Sequence, residues 1–388
     1  MHIVHLSLTN FRNYRHLDLE LPPHVVVIQG DNTQGKTNLL EAIHFLATTK
    51  SPRASSDREL INQIALQEGQ AVSRLLAKVH KAKSDIEIET VLKTERREPL
   101  PNGEEVALTV QKQIKVNGIL RRVPELMGQV NVVMFTAQDI DLITGAPALR
   151  RRYLDLINSQ LDARYLRLLQ RYHRVLSQRN HLLRLISEHR AHPDQLEFWD
   201  KELVESGSYL QDRRQHIVTA LRGLAYLIHW ELSGGMEKLE IIYLPSIGEK
   251  GESHGQIKAE FWKALHQARE KEIDQGMSLV GPHRDDLGFE INEIDMSAYG
   301  SRSQQRTIAL SLKLAEAKYI NDQTGDQPVL LLDDVLSELD QRRRHHLLEF
   351  ISPFQQVLIT TTDLDRLEPW FLSQATQFRV NQGNIERV

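Results

Sequence analysis

The chain has 388 residues, 40% hydrophobic and 26% charged, which suits a globular protein of two domains with a sizeable core. It contains no cysteine, which excludes disulfides, Cys-ligated zinc, iron–sulfur clusters and thiol nucleophiles. The net charge of −4 does not mark it as a nucleic-acid binder, and aliphatic runs such as Val25-Val26-Val27-Ile28 are too short to span a bilayer. The opening Met1-His2-Ile3-Val4-His5 does not read as a signal peptide, so a cytoplasmic protein with no membrane partner is expected.

Ile3 to Leu8 and His16 to Leu21 alternate like amphipathic strands, and His24 to Ile28 reads as a buried one. From Asn38 the apolar residues Leu39, Leu40, Ile43 and Leu46 fall on one helical face. Between strand and helix, Gly30-Asp31-Asn32-Thr33-Gln34-Gly35-Lys36-Thr37 fits the P-loop pattern G-x-x-x-x-G-K-[ST]. Such glycines let backbone N–H groups curl around phosphate oxygens, and the helix N-terminus adds its positive dipole end. Lys36 is expected to neutralise the β- and γ-phosphates of ATP, and the Thr37 hydroxyl to ligate Mg²⁺.

Strands are expected at Val72 to His80, Asp85 to Leu92, Val106 to Val116, Ile119 to Val123 and Val130 to Phe135, with Asn117-Gly118 as a hairpin turn. From about Arg150 the period changes. Leu154, Leu161, Tyr165, Leu168, Tyr172, Val175, Leu182 and Ile186 step by three and four, interrupted at Asn158 and Arg179. After a polar break at 187–194 the stepping resumes from Leu196 to Ile228, which predicts an antiparallel helical hairpin, a short coiled coil. Segments 186–195 and 245–256 read as turns or loops.

After about residue 277 the α/β pattern returns, with Val329 to Leu332 and Gln356 to Thr361 as buried strands. The first of these ends in Asp333-Asp334. Asp333 is expected to hold Mg²⁺, and Asp334 to orient or deprotonate the attacking water. The competing acid, Asp139, stands too far beyond its strand to share a metal with Thr37. The organisation is a split α/β domain, residues 1–135 and 277–388, interrupted by a helical insertion at 136–276.

Four stretches stand in order along the chain: Leu8-Thr9-Asn10-Phe11-Arg12-Asn13-Tyr14 with the P-loop; Asp139 to Asp155; Ser278 to Asp286; and Leu331 to Asp334 with Ser337-Glu338-Leu339-Asp340 and Arg343. Together they resemble the motifs of the RecF family of bacterial DNA replication and repair ATPases, which are SMC-like. The resemblance implies an ABC-type P-loop ATPase head, a mixed sheet with helices plus an antiparallel β subdomain, that dimerises around ATP. It places Ser301, Ser303 and Gln304 in the signature segment that caps the partner protomer's γ-phosphate, where Ser303 replaces the usual glycine. It places Gln138 in the loop that senses metal and nucleotide, and brings Arg12 and Asn13 towards the nucleotide. Ser337 to Asp340 would meet their twin across the dimer, and Thr361 and Thr362 stand where many such ATPases have a phosphate-sensing histidine.

Residues 150–190 carry ten arginines against only Asp155, Asp162 and Glu188. Arg164, Arg167, Arg171 and Arg174 share one helical face. This one-sided stripe reads as a footprint for the phosphates of duplex DNA or a single/double-strand junction, with a solvated coiled-coil flank as the plainer reading. The family implies a weak, slow, DNA-stimulated ATPase whose main role is ATP-regulated DNA binding in the SOS response to DNA damage. It also implies RecR and RecO as partners at gaps, with RecA loaded downstream. An ABC transporter's motor subunit is the alternative, sharing the P-loop, signature and Mg²⁺ strand.

Overall fold

Period-two alternation buries Leu6 and Leu8 along β1 (His2–Phe11), and Ile3, buried at the opposite parity, lies across a register shift between Ile3 and His5. The structure is a computed structural model that describes residues 1–68, 72–82, 84–96, 108–249, 251 and 253–388. Met1–Gln138 and Glu316–Val388 form one compact unit, and Asp139–Ala315 a second.

In the first unit follow β2 (Tyr14–Glu20), β3 (His24–Gln29), the P-loop helix α1 (Lys36–Thr48), β4 (Val72–His80), β5 (Asp85–Arg96), β6 (Leu108–Val116), β7 (Ile119–Arg121) and β8 (Val132–Thr136). The first two residues of the strand expected at Val106 to Val116 lie outside the described residues. An antiparallel sheet runs β2-β1-β4-β5-β6-β7. Its last turn, Asn117-Gly118, has positive φ at both residues, as a two-residue hairpin requires. Helix α1 touches β4 and β5 on one side and β8 on the other. That placement buries it all round, Glu41, His44 and Thr48 included, where the sequence shows one apolar face.

The second unit contains the helices Pro147–Leu161, Ala163–Ser187, Leu196–Leu232 and His254–Gln275, and a sheet of β9 (Leu239–Leu244), β10 (Asp286–Ile291) and β11 (Ile294–Asp295). The first arm of the expected hairpin is broken at Asp162, whose side chain caps the new helix by accepting from the Arg164 amide at 2.8 Å. Tyr165, Tyr172 and Val175 pack on Leu203, Val204 and Leu210, and the third long helix adds Phe261 and Leu265. Antiparallel pairing of β10 with β9 ties residues 286–291 into this unit, which therefore extends past 276 to Ala315.

Arg179, an interruption in the heptad pattern, is fully buried. Its guanidinium donates to Asp200 at 2.7 Å, Ser278 at 2.7 Å and Glu272 at 2.6 Å, joining three helices. Asp285 and Asp286 take arginines from the helices. Asp285 accepts from Arg214 at 3.1 Å, and Asp286 accepts from Arg150 at 2.6 and 2.9 Å.

The chain returns to the first unit along the helix Arg302–Thr324 and adds β12 (Val329–Asp333), β13 (Gln356–Thr361), β14 (Thr376–Asn381) and β15 (Asn384–Arg387). The second sheet runs β15-β14-β3-β13-β12-β8 and is parallel except for the β14–β15 hairpin. Strands β3 and β12 are thus one strand apart, and their C-terminal ends share an edge. Among the described residues no helix is long and apolar enough to cross a membrane.

Candidate nucleotide site

The P-loop leaves the C-terminal end of β3, where open parallel sheets place their ligands. Asp31, Asn32 and Thr33 are exposed while Gly35 and Lys36 are buried. Gly35 has φ +119°, a conformation that strains any side chain, and a Cβ there would come within 2.5 Å of the Asn13 amide nitrogen. At Gly30 a Cβ would meet the Val380 carbonyl at 2.5 Å. The Lys36 ammonium donates to the Gly30 and Asp31 carbonyls at 2.6 and 2.8 Å. Burial lowers the Lys36 pKa, opposed by Asp334, Asp333 and Asp31, so the loop holds a cation close to three carboxylates.

Thr37, first in the helix after Lys36, donates through Oγ1 to Asp333 Oδ1 at 2.9 Å. The same oxygen accepts from Thr360 Oγ1 at 2.8 Å. Thr360 also accepts from the Asp334 amide at 3.0 Å, so one hydroxyl orients both acids. Burial raises the Asp333 pKa, while the Thr360 and Thr37 hydrogen bonds and the charge of Arg53 oppose the rise. Asp334 has φ +51°, uncommon for a residue other than glycine, and its carbonyl accepts from the Ser337 hydroxyl at 2.7 Å.

Sequence reasoning missed Thr360 and Arg53. Parallel pairing sets Asp333 opposite Thr360, whereas Thr361 is buried and spends its hydroxyl on the Asp363 carbonyl at 2.8 Å. Nothing in the local sequence marks Arg53, which also reaches the Asn38 side chain at 3.5 Å. Gln138 is exposed two residues beyond β8, the parallel neighbour of β12.

Asn13 touches the loop directly. Its Nδ2 donates to the Gln34 carbonyl at 2.9 Å, and its Oδ1 accepts from Asn38 at 2.8 Å. Arg12 turns to the helix instead, donating to buried Glu41 at 2.8 and 2.7 Å and to the Glu59 carbonyl at 2.9 Å. It acts on the loop by bracing α1.

The remaining candidates belong to the second unit. Ser301 and Gln304 form a capping box: the Ser301 backbone amide donates to Gln304 Oε1 at 3.0 Å, and the Gln304 backbone amide donates to Ser301 Oγ at 3.3 Å. Ser303 is exposed in the same turn. Arg164, Arg167, Arg171 and Arg174 are all exposed. Arg171 pairs with Glu202 of the neighbouring helix, and Arg164 lies over the Tyr209 ring at 4.4 Å from its centroid. The stripe therefore has acidic and aromatic neighbours that its own helix does not reveal.

Backbone amides at a helix start, one ammonium, and a hydroxyl–carboxylate pair fit a nucleoside triphosphate with Mg²⁺, an ion that takes few protein ligands and completes its shell with phosphate and water.

The RecF/RecN/SMC N-terminal domain model matches residues 2–382. The chain is 46% identical to the DNA replication and repair protein RecF of Herpetosiphon aurantiacus and 43% identical to that of Roseiflexus castenholzii, covering 99% of both chains in each case. A solved structure described as the recombination mediator protein RecF-ATP in the RecFOR pathway is similar at TM-score 0.87 and 34% identity, over 100% of this chain and 97% of that one. An SMC head bound to the C-winged helix domain of ScpA is similar at TM-score 0.54 and 15% identity, over 100% of this chain and 97% of that one, a likeness of fold alone. The fold is that of an ABC-type ATPase head.

Proposed function

The chain belongs to the RecF family, and we propose that it is an ATP-dependent DNA-binding protein of recombinational repair and replication restart. The observation that carries the nucleotide half of this reading is the 2.9 Å bond from Thr37 to Asp333, which joins the P-loop to the acid of a distant strand. Full-length similarity to RecF proteins sets aside the transporter-motor alternative.

In this reading Gly30 to Thr37 cradle the phosphates of ATP, with Thr37 and Asp333 as the protein's Mg²⁺ ligands. Bound Mg²⁺ supplies charge neutralisation at the β- and γ-phosphates. Lys36 adds a second positive charge to the same oxygens. Asp334, held by Thr360 through its amide, accepts the proton of the attacking water, and Gln138 at the neighbouring strand end orients that water. Ser301, Ser303 and Gln304 cap the γ-phosphate held by a second copy, so ATP closes a homodimer and slow hydrolysis opens it. Arg164, Arg167, Arg171 and Arg174 meet the phosphates of duplex or junction DNA at gaps. RecR and RecO are the partners, and loading of RecA is the outcome.

Sedimentation with ATP, ADP and gapped duplex tests the dimer. For the DNA face, replacing the four arginines by Gln should flatten the slope of log K against log[salt] by about 3.6, roughly 0.9 per contact. An unchanged slope in a folded, ATP-binding quadruple variant would return the stripe to a solvated flank.

A further inference from the structure

A line of hydrogen bonds crosses the second unit from a buried histidine to the exposed Ser301. His229 is fully buried. Its Nδ1 lies 3.1 Å from Ser311 Oγ, and its Nε2 lies 3.0 Å from Glu237 Oε2. The other carboxylate oxygen, Oε1, accepts from Gln304 Nε2 at 3.0 Å. Gln304 in turn accepts, at 3.0 Å each, from the amide and the hydroxyl of Ser301.

The chemistry of these groups allows one arrangement. An ionised carboxylate only accepts hydrogen bonds, so Glu237 obliges Gln304 to face it with the NH₂. The amide oxygen is then directed at Ser301, where two donors wait. With Glu237 absent, a flipped amide would set donor against the Ser301 N–H. The capping box holds the Gln304 side chain by its oxygen, and a residue 67 positions away in the chain holds its nitrogen. Glu237 is itself fixed, since its side chain is mostly buried and its second oxygen is anchored by His229.

We infer that Glu237, anchored by His229, is a positioning residue for the signature segment: it holds Gln304 and Ser301 in the geometry that meets a triphosphate on a second copy of the chain. The inference rests on the dimer reading above. Phosphate-directed donors must be held within a fraction of an ångström, and side chains locked by neighbours meet that demand. Neither residue touches the nucleotide; both act through Gln304.

The test exchanges the partners. Gln304→Glu alone sets two carboxylates where a donor–acceptor pair stood, and Glu237→Gln added to it restores one donor and one acceptor. Sedimentation velocity with ATP and Mg²⁺ reads dimerisation, and titration with a fluorescent ADP analogue reads the P-loop. Gln304→Glu should weaken ATP-dependent dimerisation by about tenfold or more, and the double exchange, which keeps the new carboxylate near the triphosphate but relieves its clash with residue 237, should recover at least about threefold of that loss, a coupling expected of residues in contact. Glu237→Ala, which removes the carboxylate without adding charge, should match Gln304→Glu. Affinity for the ADP analogue should stay within about twofold throughout, because the P-loop residues do not change. Wild-type dimerisation in Gln304→Glu or Glu237→Ala, or no recovery in the double exchange, would overturn the inference while leaving the dimer reading standing. A wild-type chain that does not dimerise with ATP would overturn both.

Discussion

Thr360 Oγ1 donates to Asp333 Oδ1 at 2.8 Å and accepts from the amide of Asp334 at 3.0 Å, so one hydroxyl on the middle strand aligns both acids of the candidate site. Thr360 is fully buried.

Thr360→Val keeps the shape and removes both bonds. It leaves the Asp334 N–H without its partner, which should cost about 1–3 kcal/mol in urea unfolding. ATP affinity measured with Mg²⁺ should fall, and affinity measured without it should hold. Asp333→Asn should lose the same metal-dependent part more completely. Equal losses with and without Mg²⁺ would separate Asp333 from the metal.

Asp334→Asn should bind ATP like wild type yet hydrolyse it about 100-fold more slowly, since an amide cannot take the water's proton. Asparagine tolerates the left-handed backbone at φ +51°, so the turn should survive the change. Lys36→Arg should keep more affinity than Lys36→Ala, but the 2.6 and 2.8 Å carbonyl contacts suit a compact ammonium better than a planar guanidinium. Single-turnover hydrolysis beside equilibrium binding separates these effects.

Arg179→Met should destabilise the chain by roughly 3–5 kcal/mol, because it strands buried carboxylates. Asp200 would keep Arg269 at 2.6 Å, whereas Glu272 would lose its cation. Adding Glu272→Gln should therefore recover part of the loss. Denaturant midpoints of the single and double variants decide it.

His283 should contribute to the acid sensitivity of the fold. Burial lowers its pKa to about 4, and Nδ1 accepts from the Tyr172 hydroxyl at 2.6 Å while Nε2 donates to the Ser278 carbonyl at 3.2 Å. Between its unfolded pKa of about 6.5 and a folded value near 4, only the unfolded chain takes up the proton. Its contribution, at most about 3 kcal/mol, is present above pH 6.5 and is lost as pH falls towards 4. His283→Gln should flatten the melting temperature between those pH values; an unchanged slope would assign the acid sensitivity elsewhere.

Much of this was legible in the residues themselves. A P-loop is contiguous, and the strand before it and the helix after it announce themselves by period. Asp333-Asp334 closes a run of four aliphatic residues, and the coiled-coil seam repeats often enough to be read through its interruptions. What local pattern conveys is which face is apolar and where a backbone can turn. It conveys little about what a charged side chain meets. Arg12 looked towards phosphate and lies on Glu41, and Arg179 looked like a flaw in a heptad and is the buried tie between three helices.

Choosing between Thr360 and Thr361 shows where sequence stops and tertiary structure decides. Both are threonines at the end of the same buried strand, and alternation points adjacent side chains to opposite faces. Either could have been the hydroxyl at the site. The parallel register that sets Asp333 against Thr360 is a property of two strands meeting, stated in neither alone. Composition, period and motif determined the machinery; the pairing of distant segments determined which atoms it uses.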